Sequence, residues 1–210
     1  MGNTILTGLT LRGRELAVWR GERCLFEALD FELGPSQLAL VIGPNGSGKT
    51  TLLRVLAGLS APTSGSATWD GNAVDSLQPE QRADIAYRGH LDGLKKDLTV
   101  RENLQFQSAL WRGAPVLESL LIELKLDRAA DTRARYLSAG QRRRAALAML
   151  KLSAAKLWIL DEPMTNLDSH GRALIVEWTR QHLGAGGSAV IATHQPDEFA
   201  APGTLVIELS

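Results

Sequence analysis

The sequence has little cysteine, no excess charge of either sign and no long hydrophobic run. Cys24 is its one cysteine, which excludes an intramolecular disulfide and indicates a reducing compartment. Lysine and arginine number 23, as do aspartate and glutamate, so the balance argues against a general polyanion binder. No apolar stretch reaches the roughly 18 residues that a membrane helix needs, and the opening residues lack the pattern of a secretory signal. We therefore expect a chain that is soluble by itself.

The composition is that of a folded globular protein. Of the 210 residues, 44% are hydrophobic and 22% are charged, which is too apolar for a disordered chain. The length fits one domain or slightly more and is sufficient to bury a core.

Three runs of consecutive apolar residues predict strands that are covered on both faces, as in a parallel sheet. They span residues 38–42, 157–160 and 189–192. Residues 29–33 instead alternate apolar and polar side chains, as a half-buried strand does, and Asp70-Gly71 is a good hairpin turn. We expect an α/β fold with a mostly parallel core sheet and an antiparallel β part in front of it.

The middle of the chain, from about residue 99 to 152, is predicted to be helical. Thr99-Val100-Arg101-Glu102 and Ser138-Ala139-Gly140-Gln141 both match the capping-box pattern. We therefore predict a single domain over residues 1–210, in which about 1–90 and 153–210 form the core and about 91–152 form a helical insertion.

Residues 43–50, GPNGSGKT, fit the phosphate-loop (P-loop) pattern G-x-x-x-x-G-K-[ST] between a predicted buried strand and a helical stretch over residues 51–59. Glycines let the backbone curl until successive N–H groups face inward, and the helix N-terminus adds positive potential for phosphate. In this pattern the lysine reaches the β- and γ-phosphates and the hydroxyl after it ligates Mg²⁺. The predicted nucleotide site comprises Gly43, Pro44, Asn45, Gly46, Ser47, Gly48, Lys49, Thr50 and Thr51.

Polar side chains also follow the other two apolar runs. Asp161 and Glu162 come after the second run, where Asp161 suits the magnesium shell and Glu162 suits polarising the attacking water. His194 follows the third run, where its imidazole could hydrogen-bond the γ-phosphate or that water. Since ligands bind at the carboxyl ends of parallel strands, we expect these groups to lie at one edge of the sheet.

The segment Ser138-Ala139-Gly140-Gln141 opens a helix with a hydroxyl, a glycine and free backbone N–H groups, which is again an anion site. An ordinary capped helix is the simpler interpretation of this segment alone. Because the P-loop already serves the phosphates of one nucleotide, a second anion site makes sense if it closes over nucleotide held by another copy of the chain.

A P-loop, LSAGQ at 137–141, DEP at 161–163, TNLD at 165–168 and a histidine after a strand, in this order, resemble the ATP-binding cassette ATPases over essentially the whole chain. The resemblance implies a head-to-tail homodimer with two ATP molecules and Mg²⁺ at its interface. Ser138 and Gly140 of one protomer would contact the γ-phosphate lying on Lys49 of the other, and Asp168 would help to link the two sites.

Shorter segments are similar to the ATP-binding subunit of the haem exporter in cytochrome c biogenesis. They are GHLDGLK at 89–95, LWILDEP at 157–163 and THQP at 193–196. This likeness implies integral membrane subunits as partners, haem as an indirect partner, and a peripheral location on the cytoplasmic face of the inner membrane. The neutral net charge argues against a nucleic-acid partner. Two alternatives stay open: a transporter ATPase for another small molecule or lipid, and a non-transport cassette protein that acts as an ATP-gated scaffold.

The sequence departs from the family at three places. His90 stands near the usual lid glutamine and either takes over its coupling task or merely packs or faces solvent, and Ala139 replaces a commoner glycine. The aromatic residue that stacks on adenine has no clear counterpart, since Trp19 and Arg20 both fall near its place and either could stack. Residues 142–144, all arginine, are predicted to form a solvated helix face.

Overall fold

The computed structural model describes residues 9–89, 92–110 and 117–210 of the chain. In chain order the strands are β1 (Leu11–Arg20), β2 (Arg23–Leu33), β3 (Leu38–Ile42), β4 (Ser64–Trp69), β5 (Asn72–Ala73), β6 (Ile85–Arg88), β7 (Leu157–Asp161), β8 (Ser188–Ala192) and β9 (Leu205–Glu208). The helices are α1 (Lys49–Leu56), α2 (Pro79–Arg82), α3 (Val100–Leu110), α4 (Leu117–Glu123), α5 (Ala139–Lys151) and α6 (Ser169–Gly184). Within the described ranges no helix is both long and apolar enough to cross a membrane.

Among the described residues, five strands form a parallel sheet in the order β6-β7-β8-β3-β9. The three apolar runs of the sequence are its central strands β7, β8 and β3, as predicted. Alternate residues of each central strand enter two different cores: Leu38 and Leu40 face one, and Ala39 and Val41 face the other. Coverage on both faces is the reason that these strands are apolar throughout.

The two cores place the helices and the second sheet. One core contains side chains from α3, α4, α5 and α6, and the other contains α1 and the antiparallel sheet. That sheet has the order β2-β1-β4-β5 in the described part of the chain, and its strands pair antiparallel. The expected combination of a parallel sheet with an antiparallel part and a helical segment is confirmed.

Local signals also proved correct. Asp70 and Gly71 turn β4 into β5 with φ of 49° and 79°, as a two-residue hairpin turn requires. The capping boxes form at both predicted places, with Glu102 N donating to Thr99 Oγ1 and Gln141 N to Ser138 Oγ. The helix expected over 51–59 begins earlier and ends at Leu56, because Gly58 adopts a left-handed φ of 65°.

Candidate nucleotide-binding and catalytic site

Because β7, β8 and β3 are adjacent and parallel, the residues that follow them meet at one edge of the sheet. A cavity of about 480 Å³ lies at this edge. It is lined by Arg20, Arg23, Leu25, Asn45, Gly46, Gly48, Lys49, Thr50, Thr51, Asp161, Glu162 and His194. The structure thus brings the P-loop, the two acids and the histidine together, although they lie far apart in the sequence.

The glycines of the P-loop permit a backbone path that other residues would block. Gly43 has a φ of 146°, and a Cβ placed there would lie 2.2 Å from the carbonyl oxygen of Leu209. Gly48 has a φ of 103° at the N-cap of α1, and a Cβ there would press on Leu25 at 3.1 Å. The loop therefore curls tightly against the carboxyl end of β3 before α1 begins.

Lys49 and Ser47 present polar groups inside this curl. Lys49 is 8% exposed, and its Nζ donates to the carbonyl oxygens of Gly43 and Pro44 at 2.7 and 2.9 Å. The Oγ atom of Ser47 is buried and has no hydrogen-bond partner among the described residues. A buried hydroxyl without a partner and a lysine amine, both within the curled loop, suit an anionic ligand, although of the two only Lys49 lines the cavity.

Thr50 and Asp161 connect the P-loop to the end of β7. The hydroxyl of Thr50 donates a 2.7 Å hydrogen bond to Oδ2 of Asp161, which is 1% exposed. A hydroxyl and a carboxylate are oxygen ligands of the kind that Mg²⁺ prefers, so the two residues fit such an ion.

Glu162 lies at the end of β7 in a strained conformation. Its φ is 46°, in the left-handed region that residues with a side chain rarely adopt. Oε1 of Glu162 is buried and makes no hydrogen bond to the described residues, while Nε2 of His194 lies 3.3 Å away. This carboxylate oxygen can accept a proton from water, and the imidazole is placed to orient the reacting groups.

The residues of the predicted second anion site do not line this cavity. Ser138 and Ala139 are exposed at the start of α5. Gly140 lies beside the segment 165–168, since a Cβ on it would come within 3.3 Å of the carbonyl oxygen of Asn166. Asp168 caps α6 by accepting from Gly171 N at 2.9 Å, a bond that lowers the pKa of this carboxyl. The segment thus forms a separate surface on the same chain.

Two arginines from the β1–β2 hairpin complete the cavity. Arg20 donates to Thr51 Oγ1 at 3.1 Å, and Arg23 donates to the carbonyl oxygen of Gly46 at 3.0 Å. Trp19 is absent from the lining of the cavity and is 44% exposed. Of the two candidates for the base contact, the structure places Arg20 at the site. Arg23 was not predicted from the sequence.

The prediction that residues 142–144 form a solvated face is wrong at its centre. Arg143 is 6% exposed, and burial lowers the pKa of its guanidinium, opposed by the charges of Asp92, Asp161 and Glu162. Arg142 and Arg144 are only partly exposed. The proposed lid position, His90, lies outside the described residues.

Known proteins are similar to this chain in sequence and in fold. The family model described as ABC transporter matches residues 26–165. The cytochrome c biogenesis ATP-binding export protein CcmA 2 of Cupriavidus metallidurans is 45% identical over 188 residues, which are 88% of this chain and 89% of that protein. The export protein CcmA of Nitrosospira multiformis is 42% identical over 206 residues, 96% of this chain and 99% of that one.

A solved structure of similar fold is the dimeric, post-hydrolysis state of an ATP-binding cassette bound to ADP and Pi. It has a TM-score of 0.78 and 24% identity, and it covers 95% of this chain and 94% of that chain. At this identity the likeness shows the fold alone.

Proposed function

The chain belongs to the ABC transporter family and, within it, to the cytochrome c biogenesis ATP-binding export proteins, and we propose that it hydrolyses ATP to drive haem export for c-type cytochrome maturation. The observation that carries the enzymatic part is the hydrogen bond from Thr50 to Asp161, which joins the P-loop to the strand end that bears Glu162. The cargo is inferred from the relatives alone.

ATP binding is assigned to residues 43–51. Inward-facing N–H groups of the curled loop, the Lys49 amine and the Thr51 hydroxyl would bind the phosphates. Thr50 and Asp161 would hold Mg²⁺, which neutralises charge on the β- and γ-phosphate oxygens when it is bound. Arg20 would contact the base or the adjoining phosphate, since its guanidinium lies on Thr51.

For hydrolysis, Glu162 is proposed as the group that polarises the attacking water. Oε1 of Glu162 would accept a proton from the water as the water oxygen bonds to the γ-phosphorus. The bond between the γ-phosphorus and the β–γ bridging oxygen breaks, so that ADP is the leaving group and the γ-phosphoryl group becomes inorganic phosphate. His194, with Nε2 at 3.3 Å from that oxygen, would hold the water or the γ-phosphate in line.

A second copy of the chain would complete each site. Ser138, Ala139, Gly140 and Gln141 are proposed to contact ATP bound by the partner protomer in a head-to-tail homodimer, with Asp168 near the link between the two sites. The exposure of Ser138 and Ala139, which do not line the cavity of their own chain, supports this assignment.

We assign residues 1–210 to one ATPase domain whose helical insertion spans about 91–152. The proposed partners are integral membrane subunits of the haem-exporter type, with the chain peripheral on the cytoplasmic face of the inner membrane. The names of its relatives describe export, and the balanced charge gives no support for a nucleic-acid partner.

Deletion of the gene in its own host tests the proposal. We expect loss of c-type cytochromes on haem-stained gels, recovery with the wild-type gene and no recovery with Lys49→Ala. The tagged chain should also co-purify from membranes with hydrophobic subunits. Normal cytochromes together with loss of another transport activity would point to a different cargo while leaving the ATPase assignment intact.

A further inference from the structure

Arg143 lies in the second turn of α5 and contacts the main chain at the ends of two strands of the parallel sheet, β7 and β6. Its guanidinium donates to four main-chain carbonyl oxygens. Nη2 reaches Glu162 O at 2.7 Å and Asp161 O at 3.1 Å, Nε reaches Pro163 O at 3.3 Å, and Nη1 reaches Gly89 O at 2.9 Å. This is an unusual use of a buried arginine, which is ordinarily paired with a carboxylate.

Glu162 is held on both sides of its strained Cα. Its N–H donates to Ala192 O of β8 at 2.9 Å, and its carbonyl oxygen accepts the 2.7 Å bond from Arg143. Fixing both peptide groups determines the direction of the Cα–Cβ bond and so the place of the carboxylate. A left-handed residue persists only where its surroundings impose that conformation.

Arginine suits this task because its planar fork offers several N–H donors in fixed directions. Here all three guanidinium nitrogens are used. Nε and Nη2 bond to the carbonyls of residues 161–163, and Nη1 bonds to the carbonyl of Gly89, which follows β6. A lysine ammonium is a single flexible point charge and cannot hold the same set in one geometry.

We propose that Arg143 is a positioning residue for hydrolysis, which aims the Glu162 carboxylate by holding its main chain from the helix that carries residues 138–141. The proposal rests on the proposed function, in which Glu162 polarises the attacking water. Since the donor lies on α5, a shift of that helix moves the peptide group of Glu162 with it.

The test uses Arg143→Met and Arg143→Lys in the 210-residue chain, with Arg180→Met as the control. Arg180 is an exposed arginine of α6 whose guanidinium bonds to Glu177 Oε1 at 2.7 Å, and it does not line the nucleotide cavity. We expect Arg143→Met to lower kcat by about tenfold to a hundredfold at unchanged KM for ATP, as misplacement of a reacting group does. Arg143→Lys should show a smaller decrease in kcat than Arg143→Met, and the control should keep the wild-type kcat. Wild-type kcat in the Lys variant overturns the proposal, even if the Met variant does not fold.

A double variant separates positioning from mere support of the helix. In the Glu162→Gln background, adding Arg143→Met should cause no further loss of kcat and should leave ATP-dependent dimerisation intact. Loss of dimerisation would show that Arg143 supports residues 138–141 instead, and would overturn the proposal. If Glu162→Gln itself hydrolyses ATP like the wild type, the role given to Glu162 under the proposed function fails, whatever the Arg143 variants do.

Discussion

The hydroxyl of Thr50 and the carboxylate of Asp161 are joined by a 2.7 Å hydrogen bond across 111 positions of sequence. One residue lies in the first turn of α1 and the other at the end of β7, so the bond fixes the P-loop against the strand-end acids. Both oxygens are thereby held together at the edge of the sheet where we place magnesium.

Asp161→Asn should weaken magnesium binding, because the amide keeps the size of the side chain but loses the negative charge. We expect the Mg²⁺ concentration at half-maximal ATPase activity to rise at least about tenfold, typical of damage to a metal shell. The measurement is ATP turnover against Mg²⁺ at fixed ATP. Asp70→Asn is the control, since Asp70 lies in the exposed turn after β4. An equal magnesium requirement in both variants would contradict the assignment.

Glu162→Gln should preserve ATP binding and reduce kcat by about a hundredfold or more, because the amide cannot accept the proton. Size-exclusion chromatography with ATP should show a stronger dimer than the wild type forms. Glu208→Gln is the control, because Glu208 is an exposed carboxylate at the last residue of the edge strand β9. This variant should hydrolyse ATP at the wild-type rate. Unchanged turnover in Glu162→Gln would remove Glu162 from its role.

Ser138→Arg should leave ATP binding by the isolated chain intact and abolish ATP-dependent dimerisation and turnover. The bulky cation would occupy the exposed start of α5, where the partner's nucleotide is proposed to bind. Lys49→Ala should lose nucleotide affinity itself, because a desolvated phosphate partner is removed. Equal loss of ATP binding in both variants, measured with a fluorescent nucleotide, would refute the two-protomer site.

The central strands and the P-loop were predictable because their signals are local. An unbroken apolar run marks a strand covered on both faces, and residues 43–50 carry the whole phosphate loop. The edge strands β6 and β9 were not predicted, since each has four residues and mixes partly or fully exposed residues with one buried residue. Such patterns do not distinguish a strand from a loop.

The arginines of the site show what a sequence pattern cannot supply. In the sequence, residues 142–144 look like a solvated helix face. The buried guanidinium of Arg143 donates to main-chain carbonyl oxygens, and because every residue has a carbonyl, no sequence pattern indicates these acceptors. The choice between Trp19 and Arg20 depends on which face each residue occupies, and the β1–β2 register shifts between Val18 and Trp19. The alternation of side chains along β1 therefore does not predict which of these two residues faces the cavity.

Arg20→Ala should weaken ATP binding by about fivefold to tenfold, the loss expected for one partly desolvated cation contact. Arg20→Tyr should recover much of the affinity, because an aromatic ring also offers a flat surface to a base. Trp19→Ala is the matched neighbour outside the cavity and should bind ATP as the wild type does. Titration with ATP compares the three. A larger loss in Trp19→Ala than in Arg20→Ala would reverse the assignment.

His182 should make the stability of the chain depend on pH. Its ring stacks on Trp158 with centroids 4.1 Å apart, and burial lowers the pKa of His182 below its ordinary value of 6.5. As the pH falls below about 6.5, His182 is therefore protonated in the unfolded chain while it is still neutral in the folded chain. Because the unfolded chain binds more protons, the free energy of unfolding decreases as the pH drops below that value. We expect the Tm of the wild type to decrease between pH 7.5 and 5.5.

His182→Phe should reduce that decrease, because phenylalanine can keep the stack on Trp158 and has no proton to gain. The control is His170→Gln on the same helix, because the side chain of His170 is partly exposed and contacts the carbonyl oxygen of Glu123 at 2.8 Å. Titratable groups other than these two histidines are the same in all three proteins, so the difference in this Tm decrease between the wild type and His182→Phe isolates His182. The same decrease in His182→Phe as in the wild type would show that this ring does not carry the effect.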